Sequence, residues 1–304
     1  MLMNEFVIRP AVEDDAPALL ELERLAPMQG ASSSYSGQTA LNRASLYANA
    51  IVLVVEAAGQ IVSVVGEAAK VVRFAGREAT VGYRFGGRTH PAWQGQGLGR
   101  LNLRAIRDWD RTLGVTISMG LVAVDNVLAL AISAADGLHP FARLTNLKAR
   151  RISFPPAPGV KASLVFAPVS NPLWEHTLCP IDVIDALYRC SGSGGYKGTI
   201  LVEDGSQRLL ASVWDKDGAI GRTSIDGSRS FFLFDVFAPT PQGLARLMTS
   251  AFEQFPEVTQ LFCLTLGDVT PPAGCVSESI CMVLQAPPIG GENLTPYLDV
   301  RDLW

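Results

Sequence analysis

A chain of 304 residues gives a prior of two domains of about 150 residues each. It is 48% apolar and only 18% charged, with a net charge of −4, which argues against nucleic acid as a partner because that needs a basic footprint. The low charge reads as a well-buried body and leaves room for an apolar interface such as that of a homodimer.

The opening Met1–Glu5 has no basic n-region followed by an apolar h-region, and apolar runs such as Ile51–Val55 are too short to span a bilayer. A cytoplasmic location with no membrane partner is therefore expected. The five cysteines all fall in the second half without a C-x-x-C pair and read as free thiols. His90, His139 and His176 are too scattered to supply a zinc ligand set, so no metal is expected.

Taken in order, Phe6-Val7-Ile8 predicts a first strand. Glu13, Asp14 and Asp15 then load acid at the start of a helix striped by Leu19, Leu22 and Leu25. Residues 27–38 form a Ser/Gly-rich loop, and Thr39–Asn49 can be helical. Ile51–Glu56 and Gln60–Phe74 are β-branched runs joined at Ala58-Gly59, a hairpin signal.

A further strand over Ala79–Phe85 runs into Thr89-His90-Pro91-Ala92-Trp93-Gln94-Gly95-Gln96-Gly97-Leu98-Gly99-Arg100. A helix leaves this stretch with Leu98, Leu101, Ala105 and Trp109 on one face. Glycines at a strand-to-helix joint uncover backbone N–H groups at the positive end of the helix, which makes a cradle for phosphate. No Gly-Lys-Ser/Thr closes it, so it is not a P-loop, and the G-x-G-x-G spacing fits a dinucleotide fingerprint poorly.

What remains is Gln/Arg-x-x-Gly-x-Gly/Ala, met by Gln94, Gly97 and Gly99 with Pro91 three residues ahead. That pattern resembles the acyl-coenzyme A loop of the GCN5-related N-acetyltransferases (GNATs). The early Ile-Arg-Pro-Ala run, and Asn126, Ala129, Gly137 and Leu138 after a strand at Val115–Val122, resemble two further stretches of that family.

The resemblance implies an α/β (α+β) fold with a mixed, mostly antiparallel twisted sheet flanked by helices. It also implies acetyl-CoA as acyl donor and a primary amine of a small molecule or peptide as acceptor. Thr89, Gln94, Gly95, Gln96, Gly97, Leu98, Gly99, Arg100 and Asn126 would hold the donor, with Arg104 also in reach of its phosphates. Asn126 reads equally as a helix N-cap.

For the chemistry, Glu78 and His90 are the candidate bases and Tyr83 the candidate acid. Ser133 stands where the family often has a Tyr, and its hydroxyl is a far weaker acid than a phenol. A non-catalytic acyl-CoA-binding sensor or assembly protein is the alternative reading.

The second half repeats the order of elements. Strands are expected at Thr199–Glu203, Leu209–Trp214, Phe231–Phe237, Leu261–Leu266 and Ser279–Leu284, and helices near Asp182–Tyr188 and Gln242–Phe255. Gln242-Gly243-Leu244-Ala245-Arg246-Leu247 echoes Gln96–Leu101, which points to tandem copies of one fold. Thr240 replaces the Gln and Pro241 removes an N–H, so this copy is expected to be degenerate. The Gly-rich run Ser191–Thr199 lacks the P-loop Lys-Ser/Thr and reads as a turn. The expected domains are residues 1–150 and 159–304, with the proline-rich stretch near 155–158 between them.

Overall fold

The computed structural model describes residues 6–27, 39–45, 47–74, 77–155, 161–166, 179–180, 195–204, 207–215, 229–266 and 269–286. They form two compact units. One contains the described residues up to Ala142 together with residues 281–286; the other runs from Arg143 to Ile280.

In the first unit β1 (Val7–Pro10), β2 (Ala50–Ala57), β3 (Gln60–Phe74), β4 (Arg77–Thr89) and β5 (Ile117–Ala123) lie side by side in chain order. Neighbours are antiparallel except for the parallel pair β4 and β5. The β2–β3 hairpin turns on Ala58 (φ 50) and Gly59 (φ 74), and positive φ at both positions matches strand twist.

Four helices flank this sheet: α1 (Ala16–Leu25), α2 (Ala40–Ala44), α3 (Leu98–Leu113) and α4 (Val127–Ala135). The acidic residues expected at the start of α1 form a 3-10 turn there, where Asp15 accepts from the Val12 N–H at 2.8 Å and pairs with Arg9 at 2.7 Å. Helix α2 is shorter than the Thr39–Asn49 expected. Adjacent residues of a strand face opposite ways, and on β4 Arg84 reaches Asp110 of α3 while Phe85 lies beneath Arg43 of α2. Helices α2 and α3 therefore cover opposite faces.

The buried face of α3 is Leu98, Asn102, Ile106 and Asp110, which shares Leu98 with the expected stripe and otherwise lies one position further on. Leu101 and Ala105 only flank it, packing on Val55, Val62, Leu53 and Val65. The helix turns this way because its two buried polar groups have partners on the sheet. Gly114 ends it at φ 65, the left-handed cap that glycine favours.

The second unit holds residues 143–150 of β6 (His139–Arg150), then β7 (Lys161–Val165), β8 (Cys179–Pro180), β9 (Tyr196–Asp204), β10 (Gln207–Trp214), β11 (Ser230–Phe237), α5 (Pro241–Gln254), β12 (Gln260–Leu266) and the start of β13 (Cys275–Ala286). Its sheet runs β6–β12–β11–β10–β9–β7, antiparallel except between β11 and β12. The parallel pair falls at the place that β4 and β5 hold in the first unit. Leu244, Leu247, Met248 and Phe252 of α5 pack on Leu209, Val213, Phe231 and Leu233. The helix expected near Asp182–Tyr188 and the Gly-rich residues 191–194 lie outside the described residues, whereas Tyr196–Thr199 open β9.

The break between units comes before the proline-rich stretch. From Leu144 onward β6 pairs with β12 of the second unit, while residues 281–286 of β13 pair with β5 of the first. A cut at 150/159 therefore misplaces two strand segments, one at each end of the second half. Among the described residues Cys263 and Cys275 are free thiols, and no helix is long and apolar enough to cross a membrane.

Candidate functional site

Strand β4 pairs with β5 only from Val81 to Arg84, opposite Ile117 to Gly120, and then leaves it. On its other side β4 stays with β3 up to Thr89, but Phe85 faces Gly66 and Arg88 faces Val64, so Gly86 and Gly87 share the place opposite Val65. This β-bulge bends the strand away where the gap opens. Gly86 sits at φ +65, and a Cβ there would come within 3.2 Å of the Ala40 Cβ in α2. Both its angle and its close neighbour require glycine.

A polar knot holds the bent strand to α3. Ser63 Oγ donates to the Arg88 carbonyl at 2.7 Å and lies 2.8 Å from Asn102 Nδ2 and 3.0 Å from Thr89 Oγ1. Its single proton is used on the carbonyl, so Asn102 and Thr89 donate to it. This accounts for the buried Asn102 that hydrophobic periodicity overlooks.

Beyond Thr89 the chain makes a 3-10 turn over Pro91–Trp93, capped by His90 Nδ1, which accepts from the Ala92 N–H at 3.1 Å. Gln94 donates its side-chain amide back to the Thr89 carbonyl at 3.3 Å. Gly95 (φ 78) and Gly97 (φ 82) then swing the backbone into α3, and a Cβ at either would meet nothing within 4 Å.

The N–H groups of Trp93 and Gln94 bond back to His90 and Pro91, and that of Leu101 to Gly97. Between them the six consecutive N–H groups of Gly95 to Arg100 have no acceptor among the described residues. Gly97 offers no capping side chain, so the positive end of a 16-residue helix is left open. Open N–H groups at a helix start form a cradle of the kind that suits an anion, and this one follows directly on the end of β4. Leu98, 2% exposed, pins it to Val55 and Val62, while Gln96 and Arg100 are exposed at its rim.

The second unit closes its own version of this feature. Thr240 Oγ1 accepts from the Gly243 N–H at 3.0 Å, the Leu244 N–H bonds to the Thr240 carbonyl at 2.9 Å, and Pro241 has no N–H. The parallel pair also parts after Leu233 and Cys263, and Asp235 occupies its bulge at φ 54. The strand geometry survives there, but the threonine side chain caps the helix start that is open in the first unit.

The remaining sequence candidates are not all brought together. Glu78 lies at the opposite end of β4, exposed and facing Arg73, eight residues before Gly86 and so about 26 Å from it. Tyr83 is on the face toward α2 but only 2% exposed, stacked on Phe85 with the Lys70 ammonium 5.0 Å from its ring. His90 is beside the cradle, with Nδ1 committed to its turn. Asn126 caps α4, its Oδ1 accepting from the Ala129 N–H at 3.1 Å, so the capping reading holds and only the Nδ2 donor is left to a ligand. Asn126→Asp keeps that cap and removes the donor. It should leave thermal stability within about 0.5 kcal/mol of the parent, so any change in ligand affinity isolates the second role of the side chain.

Sequence reasoning missed Glu23. An acid two residues from the end of an amphipathic helix reads as surface, yet this carboxylate is half-buried and burial pushes its pKa up, with Arg88 and Arg43 pulling it down.

No family model matches the sequence, and no curated protein is significantly similar to it. Solved structures are. A GCN5-related N-acetyltransferase from Sphaerobacter thermophilus superposes with a TM-score of 0.59 at 13% identity, covering 97% of this chain and 98% of its own. A tandem GNAT protein from the clavulanic acid biosynthesis pathway gives 0.59 at 14% identity, covering 93% and 98%. The chain has the tandem GNAT fold.

The GCN5-related glucosamine N-acetyltransferase region of a fungal multi-domain GH3 β-N-acetylglucosaminidase gives a TM-score of 0.65 at 13% identity. There 93% of this chain is covered and only 38% of the fungal one, so the match is to a part of a larger protein. Within the tandem GNAT fold of this chain, the open cradle belongs to the first copy and the capped one to the second.

Proposed function

We propose that the chain is an N-acyltransferase that moves an acetyl group from acetyl-CoA to a primary amine, and that the first unit does this alone. The six free N–H groups of Gly95 to Arg100, which follow the end of β4, carry this reading. They suit the pyrophosphate of coenzyme A, and Arg100 and Arg104 add positive charge at the rim. The unpaired edge of β4 over Phe85–Thr89 suits the amide groups of the pantetheine arm, which would add to it as a short strand does.

Attack on a thioester needs a neutral amine, and alkyl amines titrate near 10, so a base must take a proton first. Glu78 is too distant to do so. Tyr83 is packed away and Ser133 is a poor acid, features that favour the alternative of a non-catalytic acyl-CoA-binding protein. Release of free thiol from acetyl-CoA in the presence of amines separates the two.

Calorimetric titration with acetyl-CoA tests the shared part. One site per chain is expected. Two sites would contradict the threonine-capped second copy, and no binding would remove both readings.

A further inference from the structure

Helix α4 has little to hold it by its sides. Its nine residues, Val127 to Ala135, include no charged side chain, and none of them is buried; Val127 is 72% exposed and Leu128 64%. A helix in a domain is held mainly by a buried apolar face, which α4 lacks. Yet it adjoins the open start of α3, where a Cβ on Gly99 would lie 3.6 Å from Ile132 Cδ1.

The strong contacts are at its C-terminal end. Asp136 follows α4 with a side chain only 4% exposed; its Oδ2 accepts from Arg84 Nη1, and its Oδ1 lies 3.1 Å from Arg107 Nη1. A negative charge at the C-terminus of a helix opposes the macrodipole, so this acid does not serve α4 itself. Of the three acids around Arg84, it alone among the described residues also meets Arg107. Arg84 is the last residue of β4 paired with β5, opposite Gly120, and Arg107 belongs to α3. One carboxylate therefore ties α4 both to the strand at the point where the two strands part and to the helix that begins at the cradle. Gly137 comes next at φ +85, with open space where a Cβ would be, and can take up a change of dihedral angle.

We propose that Asp136 is a positioning residue for the donor site: it latches α4, as a flap, against the cradle. With both arginine contacts made, Ile132 rests on Gly99. With them broken, α4 lifts from the cradle and the donor enters or leaves. A helix with few buried contacts opens locally at lower cost than the core beside it, so the latch decides how often this happens. The donor's part in this rests on the coenzyme A reading above, whereas the latch is a property of the chain alone.

The test is hydrogen exchange on the full chain, followed helix by helix with and without saturating coenzyme A. Amides of α4 are expected to exchange about tenfold or more faster than those around Asn102 and Ile106 of α3, and to slow when coenzyme A is added. Asp136→Asn keeps a neutral acceptor for Arg84 and removes the charge. It should quicken α4 relative to α3 by about tenfold or more, the effect of one charge-assisted hydrogen bond. Arg107→Gln alters a half-exposed side chain and should act in the same direction even if the first variant folds poorly. Arg111→Gln, which breaks an exposed pair with Asp108 on the same helix, should change nothing. Release of coenzyme A, followed by stopped-flow displacement, should quicken by the same factor as α4 exchange in the complex, because both pass through one opening.

Alpha-4 amides as slow as those of α3, or both helices quickened alike by Arg107→Gln, would overturn the latch. Faster α4 exchange with an unchanged release rate would overturn the flap. A chain that binds no coenzyme A would instead remove the donor reading, and the exchange rates without ligand would still judge the latch.

Discussion

Gly97→Leu should weaken acetyl-CoA binding by about 100-fold or more, while Gly114→Leu on the same helix leaves it unchanged. Both glycines have positive φ, 82 and 65, and neither would bring a Cβ within 4 Å of another atom. Each variant therefore takes the same left-handed strain, about 1–2 kcal/mol, with no clash to add to it. The difference lies in what surrounds them. Gly97 sits in the middle of the six open N–H groups, and a side chain there fills the space a phosphate would use. Losing one or two charge-assisted hydrogen bonds, each worth about 1.5–3 kcal/mol, gives the expected factor. Equal coenzyme A affinities in the two variants would mean that the cradle is not where the donor binds.

The second large effect concerns stability, behind the sheet. Arg84 of β4 pairs with Asp136, lies 3.3 Å from Glu67 and 3.9 Å from Asp110, and Arg107 completes the group at 3.1 Å from Asp136. Glu67 is fully buried, and burial pushes its carboxyl well above the usual range against the pull of Arg84. Burial also raises Asp110. Arg84→Met leaves three buried acids facing one half-exposed arginine and should cost about 3–5 kcal/mol in urea unfolding.

Glu67→Gln should act in the other direction. Below about pH 4.5, the ordinary value for this group, both folded and unfolded chains hold the proton and Glu67 costs nothing. As pH rises the unfolded chain releases it and the folded chain does not, so stability falls until the raised folded pKa is passed. The glutamine has no such term, and its stability should fall less steeply between pH 5 and neutrality, with a gain of more than about 1 kcal/mol at the upper end. Parallel stability–pH curves for the two proteins would show that Glu67 is ionised in the fold.

These two effects also mark what could be read from the chain and what could not. Gly95, Gly97 and Gly99 between a strand and a helix announce an open, uncapped helix start because the physics is local: dihedral freedom, exposed N–H groups and a helix end. Its worn copy was equally visible in Thr240 and Pro241. The buried face of α3 was not, since Asn102 and Asp110 break the apolar stripe and are buried only because Ser63 and Arg84 meet them from distant strands. Glu78 looked well placed until the length of β4 put it at the wrong end. Glu23 looked like a surface acid, yet burial holds its carboxyl above the ordinary range. Periodicity reports which side of a helix is oily and is silent about polar groups that tertiary contacts bury.

The two exchanged strand segments have a consequence in time. Residues 281–286 lie along β5, antiparallel, in the unit that carries the cradle. A ribosome making this chain therefore extrudes β5 long before that strand exists, and the edge of β5 must wait unpaired, or be shielded, until the second unit has been synthesised. The unit with the open helix start is translated before the second unit and is completed only after it.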